Sequence, residues 1–544
     1  MTDTRAADTA RPSIAANDSS FIHHAGPDDP PFLFHCGESF QTHRLPTGTR
    51  VIYPRPPLPG IADTRGAVAH AIDHPLGCEP LSAHLSSGMT VTIAFDDISL
   101  PLPRMRRPDI RQTIIESVME RLDAAGITDI HLICAICLHR RVTPAELKRM
   151  VGPRVFRRFW PDRLYNHDAE DPNGNTLLGE TGHGEIVEIN RRAAESDLLI
   201  YVNINLVTMD GGHKSVPVGL ATYRSVRAHH NVQTLMTSRS YMDPATSSFH
   251  RSCDRMGEIV AQHVNLFTIE TTLNSDTFAH MLGFLQKRES QWTAYDRLNR
   301  RVNNAVLGLL PPPIRRKVYH GLPAPYGLTG VHAGRTGPVH EKTLDAVHRQ
   351  QCIQINGQAD IVLVGLPSIG PYSVDSILNP ILVYCMAAGY FFNFYRGKPL
   401  VRKGGVMIVV HPLEYKFHSV HHPSYADFFE EVLPETRVPA EIEQRFEKRY
   451  AENERYIHLY RTTYAYHGVH PMYMWYWGCH GMDHLGRVIA VAPRSEPAAS
   501  RIGFHTAPSL NRAIEQARDF LGMPGDQAQI TYFHCPPILM CDVT

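Results

Sequence analysis

The chain has 544 residues, too many for one ordinary domain, and its 43% hydrophobic content is ample for more than one core. Lys+Arg and Asp+Glu are both 54, so the formal net charge is zero, which argues against a nucleic-acid or anionic-membrane partner held by bulk charge. No apolar run reaches the ~18–20 residues of a membrane span, the start has no basic-then-apolar leader, and ten scattered cysteines fit a reduced, cytoplasmic setting.

Residues 1–30 are rich in Ala, Asp, Ser, Thr and Pro and read as a flexible tail. A helix is expected from Thr64 to Asp73, stopping where His74 meets Pro75. Residues 88–95 form a β-branched strand that ends in Asp96-Asp97-Ile98-Ser99. A helix follows to about Ala125, with Ile110, Ile114, Val118 and Leu122 on one face. A strand over 130–136 leads to His139-Arg140. Thr143, Pro144 and Glu146 then spell a capping box that opens the next helix. Residues 184–189 read as a strand and Asn190 as a helix start, and the run from Leu198 to Val202 is another buried strand.

The triple proline 311–313 is the candidate linker between halves. Beyond it, strands are expected over 359–365 and 405–410, with a helix from Val374 to about Ala388 interrupted at Asn379-Pro380. A charged helix over 439–460, a His- and aromatic-rich stretch over 464–484, a helix over 509–521 and a strand over 528–533 complete the chain. Alternating strands and helices give an α/β class: two α/β domains with mainly parallel sheets and a site in the cleft between them. The expected division is tail 1–30, first domain 31–310, and second domain 311–544 carrying the His/aromatic extension.

Candidate chemistry clusters at strand C-termini, where α/β proteins bind ligands. Asp96-Asp97 there either work as acid, base or metal ligands, or cap the next helix. His139 suits a general base by its intrinsic pKa, and equally a loop histidine bonded to backbone. Gly211-Gly212-His213-Lys214 allows close backbone approach and presents a lysine suited to a phosphate contact, a Schiff base or a covalent anchor. His229-His230 follow as possible metal ligands. Cys134 and Cys137 lie in a strand and its exit rather than opening a helix, and read as packing residues. The His418, His421, His422 and His467, His470, His480, His484 groups lack the spacings of zinc motifs. No Walker lysine loop and no dinucleotide fingerprint is present.

The order of these motifs resembles the nickel-pincer-nucleotide lactate racemase family. The resemblance runs through HPLGCEPLSAHL, FDDISLP, LHRRVTPAEL, NHDAEDP, GEIVEINRRAAESDLLI, GGHK and ADIVLVGLPSIGPYSVD, over roughly residues 45–430. It implies two α/β domains around a cleft. It implies a mononucleotide cofactor joined to Lys214, with nickel held by two sulfurs, a ring carbon and His230 (His229 as the alternative). It places Asp97 and Ser99 beside the cofactor and active site, makes His139 the base for the hydroxyl proton, and has Gly211-Gly212 admit the cofactor. The implied activity is racemisation or epimerisation of a 2-hydroxy acid by hydride transfer. The implied partners are a small hydroxy acid and the cofactor-maturation enzymes.

Three departures stand against lactate itself. Leu100 replaces an arginine suited to a carboxylate. Asn203 and Asn205 occupy the region of a second catalytic histidine, which amides cannot replace as proton shuttles. Gly370-Pro371-Tyr372 replaces a proline-lysine pair that binds carboxylate. A larger or sugar-acid-like substrate is therefore expected. Net redox or isomerisation with the same cofactor, or a non-catalytic cofactor-binding homologue, are the alternatives.

Overall fold

The computed structural model describes residues 18–534 and 538–544. Two sheets organise it. One has six strands in the order Leu328–Gly334, Leu266–Leu273, Leu198–Asn205, Thr90–Asp96, Asp129–Ala135, Leu164–Asn166. All its pairings are parallel except that between the first two. The other has seven, in the order Ile22–His24, Arg50–Ile52, Ile530–Phe533, Ala359–Gly365, Val401–Val410, Arg487–Val491, His505–Ala507. It too is parallel apart from the Ile22–His24 edge. The expected α/β class is what the chain adopts.

Central strands of such sheets are covered on both faces and so must be apolar throughout. Leu198–Asn205 is buried at every position. Leu198, Ile200 and Val202 join the core under the Ile110–Ala124 helix, whereas Leu199 and Tyr201 pack with Val216 and Met256 on the opposite face. Ile114, Val118 and Leu122 of that helix are fully buried, each worth about 1.5–3 kcal/mol on leaving water. The Thr143–Glu146 capping box forms with both of its hydrogen bonds and opens the Pro144–Phe159 helix.

The expected domain boundaries need correction. The 1–30 tail is ordered where described: Ile22–His24 pairs antiparallel with Arg50–Ile52, which itself joins the second sheet; residues 1–17 lie outside the described residues. The division at 310 also fails, because Leu328–Gly334 returns to the first sheet. The triple proline starts the Pro312–Gly321 helix, with proline in its first turn, where a missing N–H costs nothing. Nor does the expected 374–388 helix begin at Val374. Asn379 caps a helix that starts at Pro380 and continues as a π-helix to Phe391, because the residue before proline disfavours the helical region.

In each sheet the chain order reverses at one point, opening a crevice at the strand C-termini. In the first sheet this lies between Thr90–Asp96 and Leu198–Asn205; in the second, between Ala359–Gly365 and Ile530–Phe533. Loops from both crevices line one cavity.

Candidate active site

The cavity measures about 250 Å³. Ser99, His139, Lys214 and His230 reach it from the first sheet. Pro371, Tyr372 and Tyr390 line it from the loop and helix after Ala359–Gly365, and His470, Tyr473 and Trp477 from the helix His470–Trp477. Apolar side chains form most of its surface, Leu100, Met242, Phe249, Phe278, Met386 and Phe394 among them.

His139 sits on the loop after Asp129–Ala135, and its Nδ1 bonds Asp97 Oδ2 at 2.8 Å. Asp97 is buried, and its other oxygen accepts from the Ser99 amide at 2.8 Å and the Ser99 hydroxyl at 2.5 Å. Burial pushes the Asp97 carboxyl up, but His139 and the Ser99 donors outweigh it and hold the group below its ordinary value. An ionised Asp97 takes the Nδ1–H and leaves the His139 Nε2 lone pair for a proton. Asp96 does different work. Its Oδ2 accepts from the Ile204 amide at 2.7 Å, and burial pushes its pKa up to about 7.

Lys214 follows a turn with two glycines of positive φ, 76° at Gly211 and 67° at Gly212. The need for glycine there comes from the protein itself. A Cβ at Gly211 would collide with Asn205 Oδ1 and come to 2.5 Å from Glu270 Oε1, and one at Gly212 would lie 2.8 Å from His340 Cδ2. Neither glycine lines the cavity. The Gly212 amide donates to Glu270 at 2.6 Å, and Glu270 accepts from His340 at 3.1 Å. The turn is thus clamped from below and holds Lys214 at the cavity, with its Nζ 4.0 Å from Asp210.

The two adjacent histidines separate by their bonding. His229 Nε2 lies 3.3 Å from the Pro217 carbonyl, and its Nδ1 lies 2.6 Å from His230 Nδ1. With His229 donating to that carbonyl, its Nδ1 accepts from His230, which leaves the His230 Nε2 lone pair. Burial pushes both rings down, His229 to about 4 against the pull of the Pro217 carbonyl, and His230 further, with the charge of His229 and then Lys214 adding. Neutral His230, stacked on Trp477 at 5.3 Å, lines the cavity; His229 does not.

Asn203 and Asn205 are buried away from the cavity, bonded to Ser215 at 2.8 Å and the Thr271 carbonyl at 3.3 Å. Arg104 pairs with Asp375, and neither it nor Arg106 lines the cavity, so Leu100 has no basic substitute on its loop. The Cys134 and Cys137 thiols are buried and raised by burial, Cys137 to about 12, as packing residues should be.

Of the remaining histidines, His467 bonds Glu170 at 3.0 Å, His484 the Val401 carbonyl at 2.9 Å and His421 the Ser376 hydroxyl at 2.8 Å. Among the described residues no group of three or more His, Cys, Asp or Glu converges as a metal site. His470 alone of those seven reaches the cavity. Sequence reasoning saw it as one histidine of four in an aromatic stretch and gave it no role. No local spacing distinguishes it, since only the docking of the C-terminal helices brings it to His139.

Fold and site together define a two-sheet α/β protein with a ligand cavity between facing strand ends. Residues 37–243 match the lactate racemase N-terminal domain. The lactate racemase of Lactiplantibacillus plantarum is 26% identical over 169 residues, 30% of this chain and 38% of that one. That of Thermoanaerobacterium thermosaccharolyticum is 24% identical over 168 residues, 30% of this chain and 37% of that one. These matches span little more than a third of each relative. The lactate racemase apoprotein structure from T. thermosaccharolyticum superposes with TM-score 0.60 at 17% identity, over 94% of this chain and 100% of that one, a likeness of fold. A Thermotoga maritima protein gives 0.51 at 14% identity, over 88% and 98%. By these matches residues 37–243 are similar to the lactate racemase N-terminal domain, and the chain shares the lactate racemase fold.

Proposed function

We propose that this chain racemises or epimerises a 2-hydroxy acid carrying a large apolar substituent, using a nickel-pincer nucleotide tethered to Lys214. The observation that carries the reading is the convergence on one cavity of Lys214, His230 and the Asp97-backed His139. The donor set fits the cofactor. One amine and one neutral imidazole with a spare Nε2 face the same space, and soft sulfur together with imidazole suits nickel. Lys214 would form the tether and His230 the metal bond, with His229 fixing its tautomer. When bound, the group supplies nickel and a hydride acceptor.

The chain's own residues do the rest. His139 Nε2 takes the hydroxyl proton and later returns it, while Asp97 stabilises the imidazolium in between. Lys214 removes the entropic cost of positioning. The apolar walls exclude water, which strengthens the electrostatics inside. They also favour an aryl or long alkyl substituent over a sugar acid, whose hydroxyls would lose water and find few partners.

The test has two parts. Protein matured with the cofactor-making enzymes is weighed intact, and Lys214 should carry the added mass. Supplied with D- or L-3-phenyllactate in deuterium-labelled form, it should interconvert the enantiomers and scramble label at the α-carbon. An unmodified Lys214 sinks the cofactor reading; turnover to an oxo acid without racemisation moves the activity to net redox chemistry.

A further inference from the structure

His470 is the first residue of a buried helix and lies 2% exposed. Its ring meets that of His139 nearly at right angles, 80°, with centroids 5.4 Å apart, and packs on Tyr372 at 4.9 Å. Its Nδ1 lies 2.6 Å from the Tyr425 hydroxyl. Tyr425 is fully buried, and among the described residues His470 Nδ1 is the only partner its hydroxyl has. A buried O–H without an acceptor costs roughly 1–3 kcal/mol, so the phenol donates and Nδ1 accepts. The imidazole proton then sits on Nε2, which has no partner among the described residues although the residue lines the cavity.

The two rings therefore have opposite polarity. His139, with Nδ1–H given to Asp97, offers an Nε2 lone pair; His470, with Nδ1 taken by Tyr425, offers an Nε2–H. No carboxylate backs His470. Burial, and then the fields of His139 and His230, push its pKa down, so it works as a neutral donor rather than a second base. A secondary alcohol needs an acceptor for its proton and a donor for its oxygen.

We propose that His470 Nε2–H donates to the reacting oxygen of the substrate while His139 accepts the proton from that same oxygen. The inference rests on the hydroxy-acid reading above. As the proton passes to His139 Nε2 and the α-hydrogen leaves with its electron pair for the hydride acceptor that the bound cofactor would supply, the oxygen becomes a carbonyl oxygen. The His470 donor meets the charge built there in the transition state, as in an oxyanion hole. In the return direction the same proton goes back from His139.

The decisive comparison is His470→Phe against His470→Gln, each checked for a cooperative thermal melt, which the acceptor lost by Tyr425 should lower in His470→Phe. Phenylalanine keeps the aromatic packing and loses the donor, whereas glutamine keeps a donor. In matured protein, His470→Phe should lower kcat for 3-phenyllactate by about 100-fold or more with KM within a few-fold, and His470→Gln should recover about tenfold of that loss. In protein without cofactor, nitrogen-15 NMR should find the proton of His470 on Nε2, and added phenylpyruvate should shift it. A His470→Phe enzyme within three-fold of wild type, or a proton on Nδ1, overturns the proposal. A matured wild type that exchanges no label at the α-carbon fails the hydroxy-acid reading instead, and the NMR result then decides the donor assignment by itself.

Discussion

The two walls of the cavity are built on different physics. On the first-sheet wall each functional group has a polar partner behind it: Asp97 behind His139, Asp210 near Lys214, His229 behind His230. On the C-terminal wall the residues behind the cavity are aromatic rings. Tyr390 and Tyr372 share a hydroxyl contact at 3.0 Å, and Trp477 stacks on Tyr241 at 4.2 Å. The first arrangement fixes tautomers and charge, and so suits bond-breaking. The second fixes shape and a low dielectric, and so suits selection of the substrate. The Tyr425–His470 pair is a polar contact on the C-terminal wall that meets the first wall at His139.

Substitutions on the two walls should accordingly separate in kind. The largest effect is expected from Lys214→Ala, which should leave the matured protein at its unmodified mass and lower turnover by about 10³-fold or more, since a free cofactor loses the advantage of attachment. His139→Asn should follow, with kcat down by about 10²–10⁴-fold and Lys214 still modified, measured by kinetics and intact mass on one sample. If both losses appeared equally in KM, the division between a chemical and a selecting wall would break.

Asp96 tests the same wall through stability. Its carboxyl is raised from 3.8 to about 7 by burial, so the folded state holds a proton that the unfolded state has lost between those values. Stability is therefore full below about pH 4 and declines as pH rises towards 7, by at most about 4 kcal/mol. Asp96→Asn, which keeps an acceptor for the Ile204 amide, should flatten that decline in denaturant titrations between pH 5 and 8. Asp97 has the opposite sign. Its lowered carboxyl contributes stability above the unfolded value near 4, lost as pH falls through the folded one. On the other wall Phe394→Leu should raise KM for 3-phenyllactate by about tenfold, roughly a 1–3 kcal/mol pocket contact, with kcat nearly unchanged. The smallest effect should be that of Cys134→Ala: about 1 kcal/mol or so of lost packing and activity within two-fold.

Local chemistry explains why much of the first wall was legible in the sequence. The β-branched run at Leu198, the Thr143–Glu146 box, and Asp97 and His139 beyond strand ends carry their signals within a few residues. The glycines before Lys214 were read as admitting the cofactor, whereas the atoms that crowd them belong to Asn205, Glu270 and His340, the last two distant in sequence. The His229/His230 ambiguity could not be settled by spacing, because it turns on which ring reaches the Pro217 carbonyl. The domain boundaries failed for a related reason. A parallel sheet accepts strands from anywhere in the chain, and residues 22–24 and 50–52 joined the distant one.

By itself, then, the sequence determined the α/β class, the strand ends that hold Asp97 and His139, and the glycine turn before Lys214, because periodicity, capping and backbone conformation are local properties. Only the tertiary structure decided which histidines share a cavity, which nitrogen of each is available, and that neither Arg104 nor Arg106 reaches that cavity in place of Leu100. The shared cavity depends on the docking of the C-terminal helices against the first sheet, a packing of residues more than 300 positions apart, as Tyr460 bonded to the Cys137 carbonyl shows with its separation of 323. The free nitrogens depend on contacts such as Asp97 with His139 and Pro217 with His229.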